Sequence, residues 1–336
     1  MVIRRVLAIL VLVLAGCKGS SARHDAQPLR PFTLVVSSFG EDISWQEDLS
    51  LMVENSLGLQ LNCILVQDAK EAMQKILTDS LTCDMWMGIN NAIAPMLPAD
   101  SIFAKCLPQR RSVLEKRRSF TASDYIIPYG YSYVGILYDT LQVHQPPSTF
   151  GELQDGVWQQ SILLPDARYS SVGNSMVQWS NFLFGNNGYR QFWLSIRNNI
   201  YRITPSWQES FYMLLADEAP MAVGLITAAW GYQQQEHTGQ YKSLVMQEGG
   251  WLWLEGAAIM KQSPYQHEAA QIMEYLLSEG FQAKVATELW LIPVDTHVAM
   301  ITGIHDVVPQ LEFRPNADEI QKTNTYWIQR WKKILL

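Results

Sequence analysis

The chain has 336 residues, of which 48% are hydrophobic, 17% charged and 11% aromatic. That balance excludes a disordered chain and a coiled coil, and the length suits two domains of ~100–200 residues or one large one. Lys and Arg number 25 against 32 Asp and Glu, a net charge of -7. Nucleic acid is therefore not an expected partner, since binding its backbone needs a basic face.

Arg4 and Arg5 precede an apolar run from Val6 to Leu14, and Leu14-Ala15-Gly16-Cys17 follows. The run is shorter than the ~18–20 residues that a spanning helix needs. Positive charge, apolar stretch and small-residue cleavage box come in the order of a bacterial lipoprotein signal peptide, residues 1–16. Cys17 is then the lipidated mature N-terminus, and residues 17–31, polar and rich in small residues, form a flexible tether. Losing Arg4 and Arg5 takes the net charge from -7 to -9. Several acyl chains, at ~0.8 kcal/mol per buried methylene, give a stable anchor. The expected location is thus the periplasmic, extracytoplasmic face of a bacterial membrane. Cys63, Cys83 and Cys106 remain, an odd set in an oxidising compartment, and no metal-binding spacing links them. Buried inert thiols are the preferred reading for all three.

The folded part is expected to start near Phe32 with a buried strand, Phe32 to Ser38. A helix over Trp45 to Leu57, a strand over Leu61 to Val66, a helix over Ala69 to Leu77 and a strand over Cys83 to Met87 follow. This order predicts a parallel sheet covered by helices, with ligands bound beyond the carboxyl ends of its strands. The basic residues Arg110, Arg111, Lys116, Arg117 and Arg118 read as a solvated face. Tyr131 to Tyr138 is a long strand that alternates aromatic and aliphatic residues. A second β-α series begins at Ser161 to Leu164, with Asp166 to Gly173 as its loop and Tyr189 to Asn198 as a helix. Trp207 to Leu215 is helical, Ala222 to Ile226 a strand, and Leu252 to Met260 a strand that returns to the first lobe. His267 to Leu277 and Gln282 to Thr287 are helical, and Asn316 to Leu335 is a terminal amphipathic helix with Trp327 and Trp331. The pattern is two α/β lobes joined by crossover strands, with a small-ligand cleft between them. Residues 32–140 form the first part of lobe 1, 141–255 lobe 2, and 256–336 the return to lobe 1 with the C-terminal helices.

Several segments, in order, resemble the thiamine-binding periplasmic proteins of bacterial ABC importers. They are Ser38-Phe39 followed by Trp45; Met87-Gly88-Ile89-Asn90-Asn91; Tyr129-Gly130-Tyr131 through Asp139; and Asp166-Ala167-Arg168-Tyr169-Ser170-Ser171-Val172-Gly173. Ser206-Trp207-Gln208-Glu209-Ser210, Trp290-Leu291-Ile292-Pro293-Val294 and Glu312-Phe313-Arg314-Pro315 through Trp331 continue the match. The resemblance covers nearly all of Phe32 to Leu336. It implies the type II periplasmic-binding-protein fold, a monomer and no cofactor. The implied ligand is thiamine, its monophosphate or its diphosphate, passed to a permease. By matching position it implies a ligand site of Ser38, Trp45, Asn90, Ser170, Trp207, Tyr232 and Trp290. The family's Asp is Asn90 here, one of its tyrosines is Leu225, and another aligns with Tyr232 or Trp230, depending on a one-residue gap.

The residues themselves suit such a ligand. Flat rings call for aromatic faces, and a cation over an indole face gains ~0.5–2 kcal/mol. Trp45, Trp207 and Trp290 stand at loops or element starts, where binding residues concentrate. Trp158, Trp179, Trp193, Trp327 and Trp331 have helical spacing and read as core. Ser170 and Ser171 offer donors to an alcohol or phosphate, or simply cap a helix. Asp166 and Arg168 read as an internal salt bridge. Glu255 faces the cleft or pairs with a neighbour. Two other readings are carried. One is a binder of another small ligand on the same fold, a ferric ion or a polyamine, although no adjacent Tyr-Tyr pair occurs. The other is a thiamine-cleaving enzyme with a cysteine nucleophile, such as Cys83 beside Asp84 or Cys106, activated by a carboxylate.

Overall fold

The computed structural model describes residues 29–37, 44–114, 118–304 and 308–336. Residues 1–16, expected to be a signal peptide, lie outside the described residues, as do Cys17 and Ser38. The chain opens as β1 (Arg30–Val36), α1 (Ser44–Leu57), β2 (Leu59–Leu65), α2 (Ala69–Leu77) and β3 (Met85–Asn90). A short helix α3 (Ala99–Ile102) leads to the long strand β4 (Ile127–Asp139). Then come β5 (Ile162–Pro165), α4 (Ser171–Ile196), β6 (Ile200–Thr204), α5 (Trp207–Leu215), β7 (Met221–Leu225), α6 (Thr227–Glu236) and β8 (Tyr241–Leu244). The chain closes with β9 (Gly250–Ile259), α7 (Gln266–Leu276), α8 (Glu279–Thr287), β10 (Ile292–Pro293), α9 (Thr296–Thr302), β11 (Glu312–Phe313) and α10 (Ala317–Leu335). Among the described residues no helix is long and apolar enough to cross a membrane.

The described strands join in one hydrogen-bonded path, β2-β1-β3-β9-β4-β7-β5-β6, with β8 and β10 on β4 and β11 on β9. Two parallel blocks, β2-β1-β3 and β7-β5-β6, stand at its ends. Their inner strands are rich in buried Val, Ile, Leu and Met, as strands covered on two faces require, while the edge strands β2 and β6 are half-exposed. Between them run β4 and β9, antiparallel to each other and to their outer neighbours. The first stretch of β4 pairs with β9 and the last with β7 and β8; Val134 is the changeover, opposite both Trp251 and Leu225. One strand therefore serves both halves, as expected of a crossover. α10 lies along α4, where Gln178 Nε2 donates to Asn324 Oδ1 at 3.1 Å and the Tyr189 hydroxyl to the Trp327 carbonyl at 3.1 Å.

Two sequence expectations change. Asp166 to Gly173 was expected to be a loop throughout, but α4 already begins at Ser171 and runs 26 residues with a kink at Gly185. Its first half holds Gly173, Asn174, Ser175, Ser180 and Asn181, all weak helix formers, so propensity hides it. Burial of the whole run from Ser171 to Asn181 supplies what propensity lacks. Arg118, read as part of a solvated basic face, is only 3% exposed. Its guanidinium pairs with Glu312 at 2.8 Å, donates to the Tyr133 hydroxyl at 2.9 Å and lies 3.8 Å over the Tyr131 ring. A buried cation survives only with such partners.

Candidate functional site

The loop after β6 starts α5 with Ser206-Trp207-Gln208-Glu209, a capping sequence. Ser206 Oγ accepts from the Glu209 amide at 3.2 Å, which sets Trp207 in the first turn. One turn on, Phe211 shares its face, and the two rings lie 6.5 Å apart. Phe211 is the hub of an aromatic group. Tyr232 of α6 meets it edge-on at 5.8 Å, and Trp290, between α8 and β10, edge-on at 6.3 Å. Tyr232 leans in turn on Tyr241 at 5.6 Å. Such edge-to-face pairs add ~0.5–1.5 kcal/mol beyond their area.

Trp290 sits there under strain. Its φ is 50°, a left-handed conformation that bulky residues avoid. Its indole lies flush on Gly231, where a Cβ would meet the ring at 2.1 Å. Only glycine admits that approach. Strain of ~1–3 kcal/mol, held in place by packing, is characteristic of binding and catalytic positions.

The structure thus brings Trp207, Tyr232 and Trp290 together. Ser170 is wholly buried, and its hydroxyl caps α4 by accepting from the Gly173 amide at 3.4 Å. Trp45, in the first turn of α1, is 1% exposed and packs edge-on against Phe281 at 6.2 Å. Asn90 ends β3, and its Oδ1 takes the Ala92 amide at 3.2 Å. Opposite it in β9, Glu255 is buried and accepts from Tyr129 and the Trp253 indole, each at 2.9 Å. Asp166 and Arg168 form the expected salt bridge at 2.6 Å. Sequence reading passed over two neighbours of this region. Phe211 was signalled by its i,i+4 spacing from Trp207. Asp68 was signalled as an N-cap by Asp68-Ala69-Lys70-Glu71, but not as a partner of residues a hundred positions on.

The thiols give no nucleophile. Burial pushes Cys63 and Cys106 up to about 11 and, with the Asp84 charge, Cys83 up to about 12. The Asp84 carboxylate is taken by the Thr33 amide at 2.8 Å and the Ser263 hydroxyl at 2.7 Å. Thiols so disposed stay protonated and unreactive at neutral pH. All three are free; Cys83 and Cys106 are buried as expected, whereas Cys63, on the edge strand β2, is only half-buried.

Residues 101–306 match the family model described as bacterial extracellular solute-binding protein. The chain belongs to that family. As a solute-binding protein it is also similar to curated relatives along most of its length. It is 23% identical over 320 residues to a thiamine-binding periplasmic protein of Brucella melitensis, covering 94% of each chain. It is 21% identical over 287 residues to one of Escherichia coli, covering 84% of this chain and 86% of the relative. Among solved structures, a periplasmic thiamin binding protein superposes with a TM-score of 0.80 at 18% identity, over 93% of this chain and 98% of that one. An apo ferric ion-binding protein A of Pasteurella haemolytica gives 0.72 at 13% identity, over 91% and 98%. The solute-binding protein has the two-lobed type II periplasmic-binding-protein fold that the resemblance implied.

Proposed function

We propose that this solute-binding protein captures thiamine, or its mono- or diphosphate, between its lobes and delivers it to an ABC permease. The observation that carries the reading is the aromatic group of Trp207, Phe211, Tyr232 and Trp290, with Trp290 strained onto Gly231. Indole and phenol faces suit a flat aminopyrimidine and a cationic thiazolium. The names of the curated relatives support the same ligand. Ser38, Trp45, Asn90 and Ser170 complete the proposed site. Cys17 carries the lipid, and the protein works as a monomer at the periplasmic face of the membrane. The ferric alternative draws on fold likeness alone, and the cysteine-nucleophile alternative on thiols that burial holds protonated.

Titration of the purified protein with thiamine and both phosphates, followed by tryptophan fluorescence and calorimetry, tests this. Saturable one-to-one binding, weakened by Trp290→Ala, is the expected outcome. No heat and no quenching at micromolar thiamine would overturn the ligand assignment. Labelled palmitate that enters the wild type but not Cys17→Ser tests the anchor.

A further inference from the structure

The aromatic group is bordered by a polar seam between the ends of the sheet. β2 stands at one end of the strand order and β5 and β6 at the other. Yet the segment that follows β2 touches the segments that follow β5 and β6. Gln67 Nε2 donates to Ser206 Oγ at 3.0 Å, and Gln208 Nε2 donates to the Gln67 carbonyl at 3.3 Å. Lys70 Nζ donates to the Ala167 carbonyl at 3.1 Å.

At the centre is Asp68. Within its own lobe it caps α2, its Oδ1 accepting the Lys70 amide at 2.8 Å. Across the seam its Oδ2 accepts the Ser171 amide at 2.8 Å and its Oδ1 the Ser171 hydroxyl at 2.5 Å. Ser170 already serves the Gly173 amide, so Asp68 takes a donor at the start of α4 that α4 itself leaves unpaired. Burial pushes the Asp68 pKa up, and the Ser171 and Lys70 donors, at the positive end of that long helix and of α2, work against that rise. One carboxylate thus caps two helices that belong to opposite ends of the sheet. We propose that Asp68 is the positioning residue that holds the lobes closed over the ligand. The inference rests on the reading of this cleft as the ligand site.

The physics makes the contact reversible. A buried carboxylate needs its hydrogen bonds, and here both lobes supply them. On opening, the α2 cap stays and water replaces the Ser171 donors. The closed form gains only the difference between the two sets, so ligand contacts decide the balance. Asp68 should therefore govern escape of the ligand more than its arrival.

Asp68→Asn separates the two roles. Asn keeps an acceptor for the Lys70 amide and is itself a good cap. Its amide nitrogen, standing where Oδ2 was, faces the Ser171 N–H donor to donor. The test uses the full chain in mild detergent, with thiamine as the probe. In stopped flow, thiamine dissociation from Asp68→Asn should be about tenfold faster, or ~1.4 kcal/mol, with association changed less than twofold. In hydrogen exchange without ligand, the peptide at the start of α4 should exchange about tenfold faster, while the α2 peptide keeps its wild-type rate. Ser171→Ala, which removes only the hydroxyl arm, should act in the same direction at about threefold. Unchanged dissociation, or equal loss of protection in α2 and α4, would overturn the proposal and leave Asp68 an ordinary cap. A wild type that fails to bind thiamine overturns the ligand reading instead, and the ligand-free exchange still decides the latch.

Discussion

Two aromatic groups in this molecule use the same side chains to different ends. The first lies where α4 meets α10. Trp179 meets Phe150 at 4.6 Å, Phe184 stacks on Phe192 at 4.8 Å, Tyr189 leans on Trp327 at 4.8 Å, and Trp193 meets Trp331 at 6.2 Å. Most of its members sit inside helices, and the Trp193 indole N–H donates to Ser180 Oγ at 3.1 Å. The second group, around Phe211, draws Trp207 from a helix start and Trp290 from a left-handed turn. Packing alone accounts for the first. In the second, packing on Gly231 and Phe211 holds an indole whose backbone is strained. Aromatic content alone therefore does not tell the two groups apart; the backbone setting of their members does.

Substitutions can break this contrast. Trp193→Ala, at a fully buried position, should cost ~3–5 kcal/mol of stability and lower the melting temperature by several degrees. Thiamine affinity of the folded fraction should be unaffected. A melting curve like the wild type's would end the core assignment. Trp290→Ala should do the reverse, with melting nearly unchanged and thiamine binding weakened by ~1–2 kcal/mol, roughly five- to thirtyfold. Calorimetry that finds equal affinity would remove Trp290 from the site. Gly231→Ala pushes a methyl into the Trp290 ring and should cost ~1–3 kcal/mol, shared between melting and binding. Absence of both effects would mean the ring moves freely, against the strain argument.

A separate effect, seen only at high pH, concerns the thiols. Their folded values of about 11 and 12 lie above the ordinary thiol value of 9.0. The stability this linkage carries is therefore fully present below about pH 9 and lost as pH rises toward 11–12. Urea titrations at pH 7, 9 and 10.5 should show falling midpoints across that window, and alkylation of the native protein at pH 8 should be far slower than after unfolding. Rapid native alkylation of Cys83 would reverse the argument.

Much of this contrast was legible in the sequence. The helical spacing of Trp179, Trp193, Trp327 and Trp331 marked them as core, and Trp207 and Trp290 stood at element starts. The β-α-β order of the first block and the alternating pattern of β4 gave the sheet its parallel blocks and its crossover. What stayed hidden was of two kinds. The first half of α4 is built from residues that disfavour helices, so only its burial reveals it. The pairing of Asp68 with Ser171 joins residues 103 positions apart, and no local pattern specifies a partner so remote. The burial of Arg118 was invisible for the same reason, because Glu312 lies in another part of the chain.

The strand order has a consequence for the life of the chain before it is folded. β1, β2 and β3 come off the ribosome early, but β9, which completes their block, arrives much later. The aromatic layer over α4 waits still longer, because α10 carries Trp327 and Trp331 and is made last. Neither lobe can finish until the end of the chain has emerged. A nascent chain of this design therefore lacks part of its final packing until its last helix has been made.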